Sequence, residues 1–290
     1  MRILVTGSSG QLGAEVARQL ASTDTMIGLD VRPGEWTTQV GDVTDASLIA
    51  DLMRGVDVVI HSASLHAPHV GQRSMQDFVD TNVTGTLRLL EAATVAGVRR
   101  FVYTSTTSVY GYSLVPEAQE AVWVTEDLTS RPRDIYDVTK LAAEELCRLF
   151  ARDHGLPAIC LRVSRFFEQS PDLMAAYRLY RGADVRDIAA AHLLAARNED
   201  IDFGIFTISA RSPFQREDTP ELLINAPAVI RRYYPDAEEV FRAQGWSLPA
   251  SIDRVYVTEK AERLLDYAPQ HNFAELLDEL RAKRDSPAEA

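Results

Sequence analysis

Val5-Thr6-Gly7-Ser8-Ser9-Gly10-Gln11-Leu12-Gly13 is the stretch on which the fold turns. Before it, Arg2-Ile3-Leu4-Val5 is short and apolar, like a strand buried in a parallel sheet; after it, Gln11 to Leu20 carries apolar residues at helical spacing. The three glycines therefore occupy a strand-to-helix turn, and such a turn binds phosphate. Gly7 permits the tight turn, Gly10 presents no Cβ to a pyrophosphate, and Gly13 lets the helix pack close to the sheet. Free N–H groups and the helix dipole are then left facing the anion. The spacing is G-x-x-G-x-x-G rather than G-x-G-x-x-G, so by itself it also fits an ordinary glycine turn.

Composition narrows the partners. The 290 residues are 46% hydrophobic and 25% charged, as in an ordinary globular chain with room for a large core. A net charge of −12 disfavours attraction to nucleic acid and to anionic membranes, so neither is expected as a partner. No apolar run approaches the roughly 20 residues of a membrane helix, and the chain enters its first strand without a signal-peptide pattern. A cytoplasmic protein is the expectation. Cys147 and Cys160 fall in a predicted helix and a predicted strand, which points to buried, reduced thiols rather than a disulfide or zinc framework.

Outward from the glycine turn, Thr25 to Asp30 reads as a second strand ending in an acid about 20 residues on. A carboxylate there accepts hydrogen bonds from the adenosine ribose and repels a 2′-phosphate, favouring NAD over NADP, although Arg32 lies nearby. A helix from Ala46 to Met53 is capped by Thr44 or Asp45, leaving Asp42 free for another task. Asp57 to His61 is the next buried strand, and the small residues Ser62-Ala63-Ser64 let a ring or a ribose approach the backbone. His66 and His69 have no acid or cysteine nearby to complete a metal site, which leaves substrate contact or solvated loop histidines. Ser74 to Gly97 reads as one long helix carrying Asn82, Arg100 to Thr106 as a strand, Thr107 to Asp134 as a loop, and Tyr136 to His154 as a helix. Tyr136 and Lys140 stand at i and i+4 on that helix, where an ammonium can lower the tyrosine pKa for acid–base work. The same pair also fits a solvated Tyr and Lys one turn apart.

Taken together, TGSSGQLG, Asp30, GDVTD, HSAS, TNVTGT, FVYTSTTSVYG and YDVTK resemble the extended short-chain dehydrogenases/reductases, the NAD-dependent epimerase/dehydratase group, over roughly Met1 to Ala196. A late Lys260-Ala261 with Leu264-Leu265-Asp266-Tyr267-Ala268-Pro269 also resembles that group. The resemblance implies a Rossmann-like, doubly wound α/β sheet: residues 1–165 form the NAD-binding core, and 166–290 a reduced substrate-binding region interleaved with the last core helix and strand (184–210). It implies Tyr136 as catalytic acid or base, Lys140 as the residue that tunes it and holds the nicotinamide ribose, and Thr106 as the catalytic hydroxyl with Ser105 as fallback. Cofactor contacts fall to Gly7, Ser9, Gly10, Gln11, Leu12, Gly13, Asp30, Asp42, Val43, Ala63 and Ser105, and substrate contacts to Ser64, His66, Thr106 and Arg178. Asn82 becomes a supporting residue. A homodimer is implied, through the helices 74–97 and 136–154, whose Ala142, Ala143, Leu146, Leu149 and Phe150 offer more apolar surface than one stripe requires.

Departures from the pattern shape the reaction. Thr107 and Ser108 stand where dehydratases carry an Asp-Glu pair, which argues against dehydration. Only Phe166 to Ala183 fills the gap where nucleotide-sugar epimerases have a long insertion, which suggests a smaller substrate. Tyr177-Arg178-Leu179 and Asp187 resemble the short-gap uronate dehydrogenases, implying that Arg178 meets an anionic group. Arg231 and Arg232 read as surface charge, and Asp285 to Ala290 as a frayed tail. The reading is an NAD-dependent oxidoreductase acting on a hydroxyl of a sugar or sugar acid through Thr106, Tyr136 and Lys140. A nucleotide-sugar epimerase and a non-catalytic NAD(P)-sensing protein are the alternatives.

Overall fold

Each apolar run becomes a strand of a single parallel sheet in the computed structural model, which describes residues 1–285. The strands are β1 (Arg2–Thr6), β2 (Thr25–Asp30), β3 (Gln39–Val40), β4 (Val58–His61), β5 (Arg100–Thr106), β7 (Ala158–Val163) and β8 (Phe203–Ile208), while β6 (Val122–Val124) pairs elsewhere with β9 (Arg254–Tyr256). Their order, β3-β2-β1-β4-β5-β7-β8, reverses direction between β1 and β4. That reversal opens a crevice at the carboxyl ends of the strands, where ligands of open α/β sheets sit. Register sharpens the point: Thr6 pairs with Leu29 on one side and His61 on the other, so the glycine turn, Asp30 and the loop after His61 leave the sheet together.

Helices cover both faces, as parallel strands buried on both sides require. On one face α1 (Gln11–Leu20) and α7 (Val185–Arg197) pack over Ile3, Val5, Val102 and Phe206. On the other, α2 (Ala46–Leu52), α4 (Gly85–Ala96) and α5 (Ile135–His154) cover Leu4, Val59, Phe101 and Tyr103. The alternation of Phe101, Val102 and Tyr103 between the two cores is the two-residue period of a strand. Cys147 and Cys160 are both free and buried in the second core. A third core forms around Ala175, Leu179, Phe214, Leu222, Val229, Phe241 and Phe273, from α6 (Pro171–Tyr177), α8 (Thr219–Tyr233), α9 (Ala237–Ala243) and α11 (Phe273–Asp285), with Val255 of β9; α10 (Glu259–Leu265) instead joins the first core.

Three local expectations change. The helix expected over Ser74 to Gly97 begins with α3 (Met75–Phe78), widens into a π turn over Val79–Thr84 and resumes as α4. The bulge carries Asn82, and such bulges concentrate at functional sites. The stretch 107–134 is not all loop, since its hydrophobic Val122–Val124 finds a partner 132 residues later in Arg254–Tyr256. Helix α8 bends at Asn225, which leaves helical geometry two residues before Pro227. The cap of α2 is Asp45, accepting from the N–H groups of Ser47 (3.0 Å) and Leu48 (3.1 Å). Among the described residues no helix is long and apolar enough to cross a membrane. The tail expected at the chain's end lies, from residue 286 on, outside the described residues.

Candidate active site

A cleft of about 920 Å³ runs along the carboxyl edge of the sheet from the glycine turn to Tyr136, Lys140 and Phe167. At its head Gly7 adopts φ +76°, and a Cβ there would lie 2.8 Å from the Ala63 nitrogen, so only glycine fits. Gly13 has a different reason from the one expected. Its missing side chain makes room for the carbonyl of Gly7, so it packs the helix against the turn rather than against the sheet. Gly10 is the open one, with Gly7 oxygen at 3.2 Å as its only near neighbour, and the surface beside it stays free for a ligand. Gly7, Gly10, Gln11, Leu12, Gly13, Asp42, Val43, Ala63, Ser64 and His66 all line the cleft.

Asp30 lies in this cleft, nearly buried, with one oxygen accepting from the Ser9 N–H (3.0 Å) and the other from the Arg32 N–H (2.9 Å). Each carboxylate oxygen keeps acceptor capacity for a ribose hydroxyl. Ser9 corrects an expectation: its N–H is spent on Asp30 and its hydroxyl on the Arg32 carbonyl and Thr37, so it holds the acid's loop instead of facing the cleft. Asp42 is likewise engaged, accepting from the Thr44 N–H and hydroxyl at 2.8 Å each.

Beneath the turn runs a directional chain of hydrogen bonds that the sequence did not announce. Thr86 donates to the Asn82 carbonyl (2.6 Å), so its oxygen accepts from His61 Nε2 (3.0 Å); His61 Nδ1 then accepts from Thr6 (2.7 Å), whose oxygen takes the Ala63 N–H (3.2 Å). The imidazole is thereby held neutral, and burial pushes its pKa down to about 3. Asn82 completes the arrangement. Its side-chain oxygen accepts from the Leu65 N–H (2.8 Å), and its amide donates to the Leu65 carbonyl (2.9 Å) and to Thr139 (3.1 Å), tying the loop after β4 to α5. Asn82 is thus buried, in the supporting role that the resemblance implies.

At the far end, α5 starts at Asp134, whose carboxylate accepts from the Asp137 N–H (3.0 Å), and the helix brings Tyr136 and Lys140 to the cleft one turn apart. Thr106, at the end of β5, lies near enough to act on the Tyr136 phenol. Burial is the largest influence on its phenol and pushes the pKa up, with Thr106 opposing. The lowering expected from Lys140 is not what dominates here, because desolvation penalises both charged forms. Lys140 itself is brought down to about 7 by burial, with Glu144 opposing, and its Nζ donates to the Thr104 carbonyl (2.6 Å). Ser105 lines the cleft, as a cofactor contact should, but its hydroxyl donates to Glu144 and is not free to replace Thr106 as the catalytic hydroxyl. Glu144 pairs in turn with buried Arg162 through Nε (3.0 Å) and Nη2 (2.7 Å). Glu144 could have been found from its place four residues after Lys140.

Phe166 and Phe167, just beyond β7, line the cleft, and Phe167 stacks on His66 at 5.2 Å. Strand order would have located them, since residues past a central strand's carboxyl end must border the crevice. Arg178 is the clear correction. Its guanidinium donates to the His271 carbonyl (2.6 Å) and to Asp184 (2.5 Å), and it does not line the cleft. Asp187 accepts from the N–H groups of Gln270 (3.0 Å) and His271 (2.9 Å), so both residues fasten the last segment of the chain to the start of α7. Arg231 pairs with Glu238, and Arg232 with Asp218 and Glu221, as surface ions.

A model of the NAD-dependent epimerase/dehydratase family matches residues 3–172. Among curated proteins, the low-salt glycan biosynthesis protein Agl12 of Haloferax volcanii is 32% identical over 205 residues, 63% of this chain and 63% of that protein. UDP-glucose 4-epimerase of Streptomyces lividans is 32% identical over 173 residues, 54% of this chain and 50% of that protein. The chain thus spans between half and two thirds of the length of these relatives. A crystal structure of a short-chain dehydrogenase/reductase superfamily protein from Agrobacterium tumefaciens with bound NAD superposes with a TM-score of 0.74 at 23% identity, covering 98% of both chains. That likeness is one of fold.

Proposed function

The chain belongs to the NAD-dependent epimerase/dehydratase family, and from that premise we propose that it is an NAD-dependent oxidoreductase acting on a hydroxyl of a sugar or sugar acid. One observation carries the reading: Tyr136 and Lys140 sit at one end of a cleft whose other end is the glycine turn and Asp30. The residues present fit the dinucleotide. The Gly10 side of the turn is open where a Cβ would otherwise stand, and the Asp30 carboxylate retains acceptors for a ribose while opposing a 2′-phosphate. Bound there, NAD would supply the acceptor for hydride leaving the alcohol carbon.

The chain's own groups handle the proton. Tyr136 removes it from the substrate hydroxyl, Thr106 beside the phenol orients that hydroxyl, and Lys140 sets the local charge four residues on. Phe166 and Phe167 wall the site on the side of β7. A second reading, a nucleotide-sugar epimerase, is favoured by relatives of that name, and it uses the same Thr106, Tyr136 and Lys140 with hydride returned to the opposite face. Residues 166–290 form the substrate side in either case. We also place a homodimer contact on α4 and α5, where Val95, Val138 and Leu149 leave apolar surface exposed; a monomer by light scattering at micromolar concentration would remove it.

A screen of sugars, sugar acids and nucleotide-sugars decides between the readings by product. Net NADH with an oxidised product identifies the dehydrogenase. Unchanged cofactor with inverted stereochemistry identifies the epimerase. Bound NAD with neither outcome would leave the sensing protein.

A further inference from the structure

Three consecutive residues at the end of β5 meet three positions spaced four apart on α5. Thr106 lies beside the Tyr136 phenol, the Thr104 carbonyl accepts from Lys140 Nζ (2.6 Å), and the Ser105 hydroxyl donates to Glu144. Tyr136, Lys140 and Glu144 thus follow one another along one face of the helix, a turn at a time. Tyr136 and Lys140 line the cleft, whereas Glu144 is buried behind them. Glu144 is also pinned: its Oε1 accepts from Ser105 and from Arg162 Nε (3.0 Å), and its Oε2 from Arg162 Nη2 (2.7 Å). Arg162 is the register partner of Ser105 on β7, so two adjacent strands hold the carboxylate between them.

Lys140 is poorly solvated by comparison. Among the described residues it has one hydrogen bond for its three donors, and its Nζ lies 4.2 Å from the centre of the Tyr103 ring. A buried ammonium in that state needs a counter-charge close by. Burial draws its pKa down to about 7, and Glu144 is the strongest of the groups that oppose burial. The other titratable groups around it offer no such charge: His61 on β4 and His66 beyond it are uncharged at neutral pH, Tyr103 and Tyr136 keep their protons, and Cys147 and Cys160 are buried thiols. Arg162, on the far side of Glu144, is the competing cation. We infer that Glu144 is a positioning residue for proton transfer: pinned by Ser105 and Arg162, its carboxylate supplies the through-space charge that keeps Lys140 an ammonium one turn from Tyr136. This rests on the proposed reading of Tyr136 and Lys140 as the catalytic pair. The alternative is a buried ion pair that only fastens α5 to β7.

Lys140, Lys260 and Lys283 are the only lysines in the chain, so NMR of the full chain labelled at the lysine ε-carbon follows Lys140 by itself, with Lys140→Arg assigning its signal. Glu144→Gln keeps an acceptor for Ser105 and loses the charge; titrated without cofactor or substrate, it should lower the Lys140 midpoint by about 1 pH unit or more. Combining Glu144→Gln with Arg162→Met also removes the cation that the single variant strands in the core. The midpoint should fall nearly as far there, because Glu144 acts on Lys140 more strongly than Arg162 does. That double variant decides the matter if the single one fails to fold. A pair that only fastens the helix would lower Tm in Glu144→Gln and leave the Lys140 midpoint where it was in both variants, and that result overturns the proposal. The titration needs no turnover, so a lowered midpoint without NADH formed from any substrate supports Glu144 as the counter-charge of Lys140 and counts against the catalytic reading alone.

Discussion

The turn at residues 5–13 and the segment 164–184 both leave the carboxyl edge of the sheet, yet they translate sequence into chemistry in opposite ways. In the turn the functional groups belong to the backbone, and the side chains matter by their absence: Gly7 for its φ of +76°, Gly10 for its open face, Gly13 for the carbonyl it admits. In the segment the charged groups are three arginine side chains, Arg165, Arg178 and Arg181. Which of them is available depends on where the acid Asp184 lies in space, since it takes Arg178. Backbone chemistry is written locally, whereas side-chain chemistry is shared out by tertiary contacts.

The largest effect tests the part where local writing should be enough. Tyr136→Phe keeps the ring and the helix and removes the phenol hydroxyl, so the rate should fall by ~10²–10⁴-fold with NAD affinity nearly unchanged. Wild-type turnover would mean that i,i+4 spacing and family pattern had misplaced the proton-transfer group. Next comes Gly13→Ala. A methyl there collides with the Gly7 carbonyl, and forced overpacking of ~1–3 kcal/mol should appear as a loss of NAD affinity of about 10-fold or more. The corresponding Gly10→Ala tests the other side of the turn: it should spare the apo-protein's stability and still weaken NAD, because its methyl points at the ligand's place rather than at the chain.

The legible and illegible residues divide along the same line. Gly7, Gly10, Asp30, Tyr136 and Lys140 reach the cleft as expected because strand ends and helix spacing fix them. Asp45 as a cap and Asp184 as the start of α7 are local as well. The resemblance gave Asn82 its supporting role and helix spacing could have offered Glu144, but the partners of these two and of His61 were not legible. Their partners Thr6, Leu65, Arg162 and Ser105 are 17 to 55 residues away along the chain, so no window of sequence contains the pair. Ser105 and Thr106 are adjacent hydroxyls in sequence, and only the facing of β5 decides that one meets Glu144 and the other Tyr136.

Arg178→Gln then probes the segment directly. As the side chain that links Asp184 to the His271 carbonyl, it should cost ~1.5–3 kcal/mol of stability, moderated because Arg186 still holds Asp184, and lower Tm by several degrees. KM for a charged substrate should not move. A selective rise in KM with unchanged Tm would restore the sequence's choice of arginine and erase the contrast between the two regions.

The smallest effect concerns the hidden support of the glycine turn. His61 has a folded pKa near 3 against an ordinary value near 6.5, so the unfolded chain takes up a proton that the folded chain refuses. Stability from this group is complete above pH 6.5 and declines as pH falls towards 3, by about 1.4 kcal/mol for each pH unit. Burial is the main cause, and the chain of hydrogen bonds acts in the same sense: Thr6 uses its hydroxyl proton on Nδ1, and a second proton there would leave it without an acceptor. His192, with Nδ1 donating to the Ile188 carbonyl and Nε2 accepting from Thr104, is brought down to about 4 and acts in the same sense beneath β5. Denaturant unfolding at pH 7.5 and pH 5.5 should therefore show a loss that His61→Gln reduces by about 1 kcal/mol, with His192 accounting for a comparable share. If the variant keeps the full loss, His61 is not the group that titrates. The acid sensitivity would then belong to His192 and to the carboxylates, and the support of the turn would be independent of the charge on its histidine.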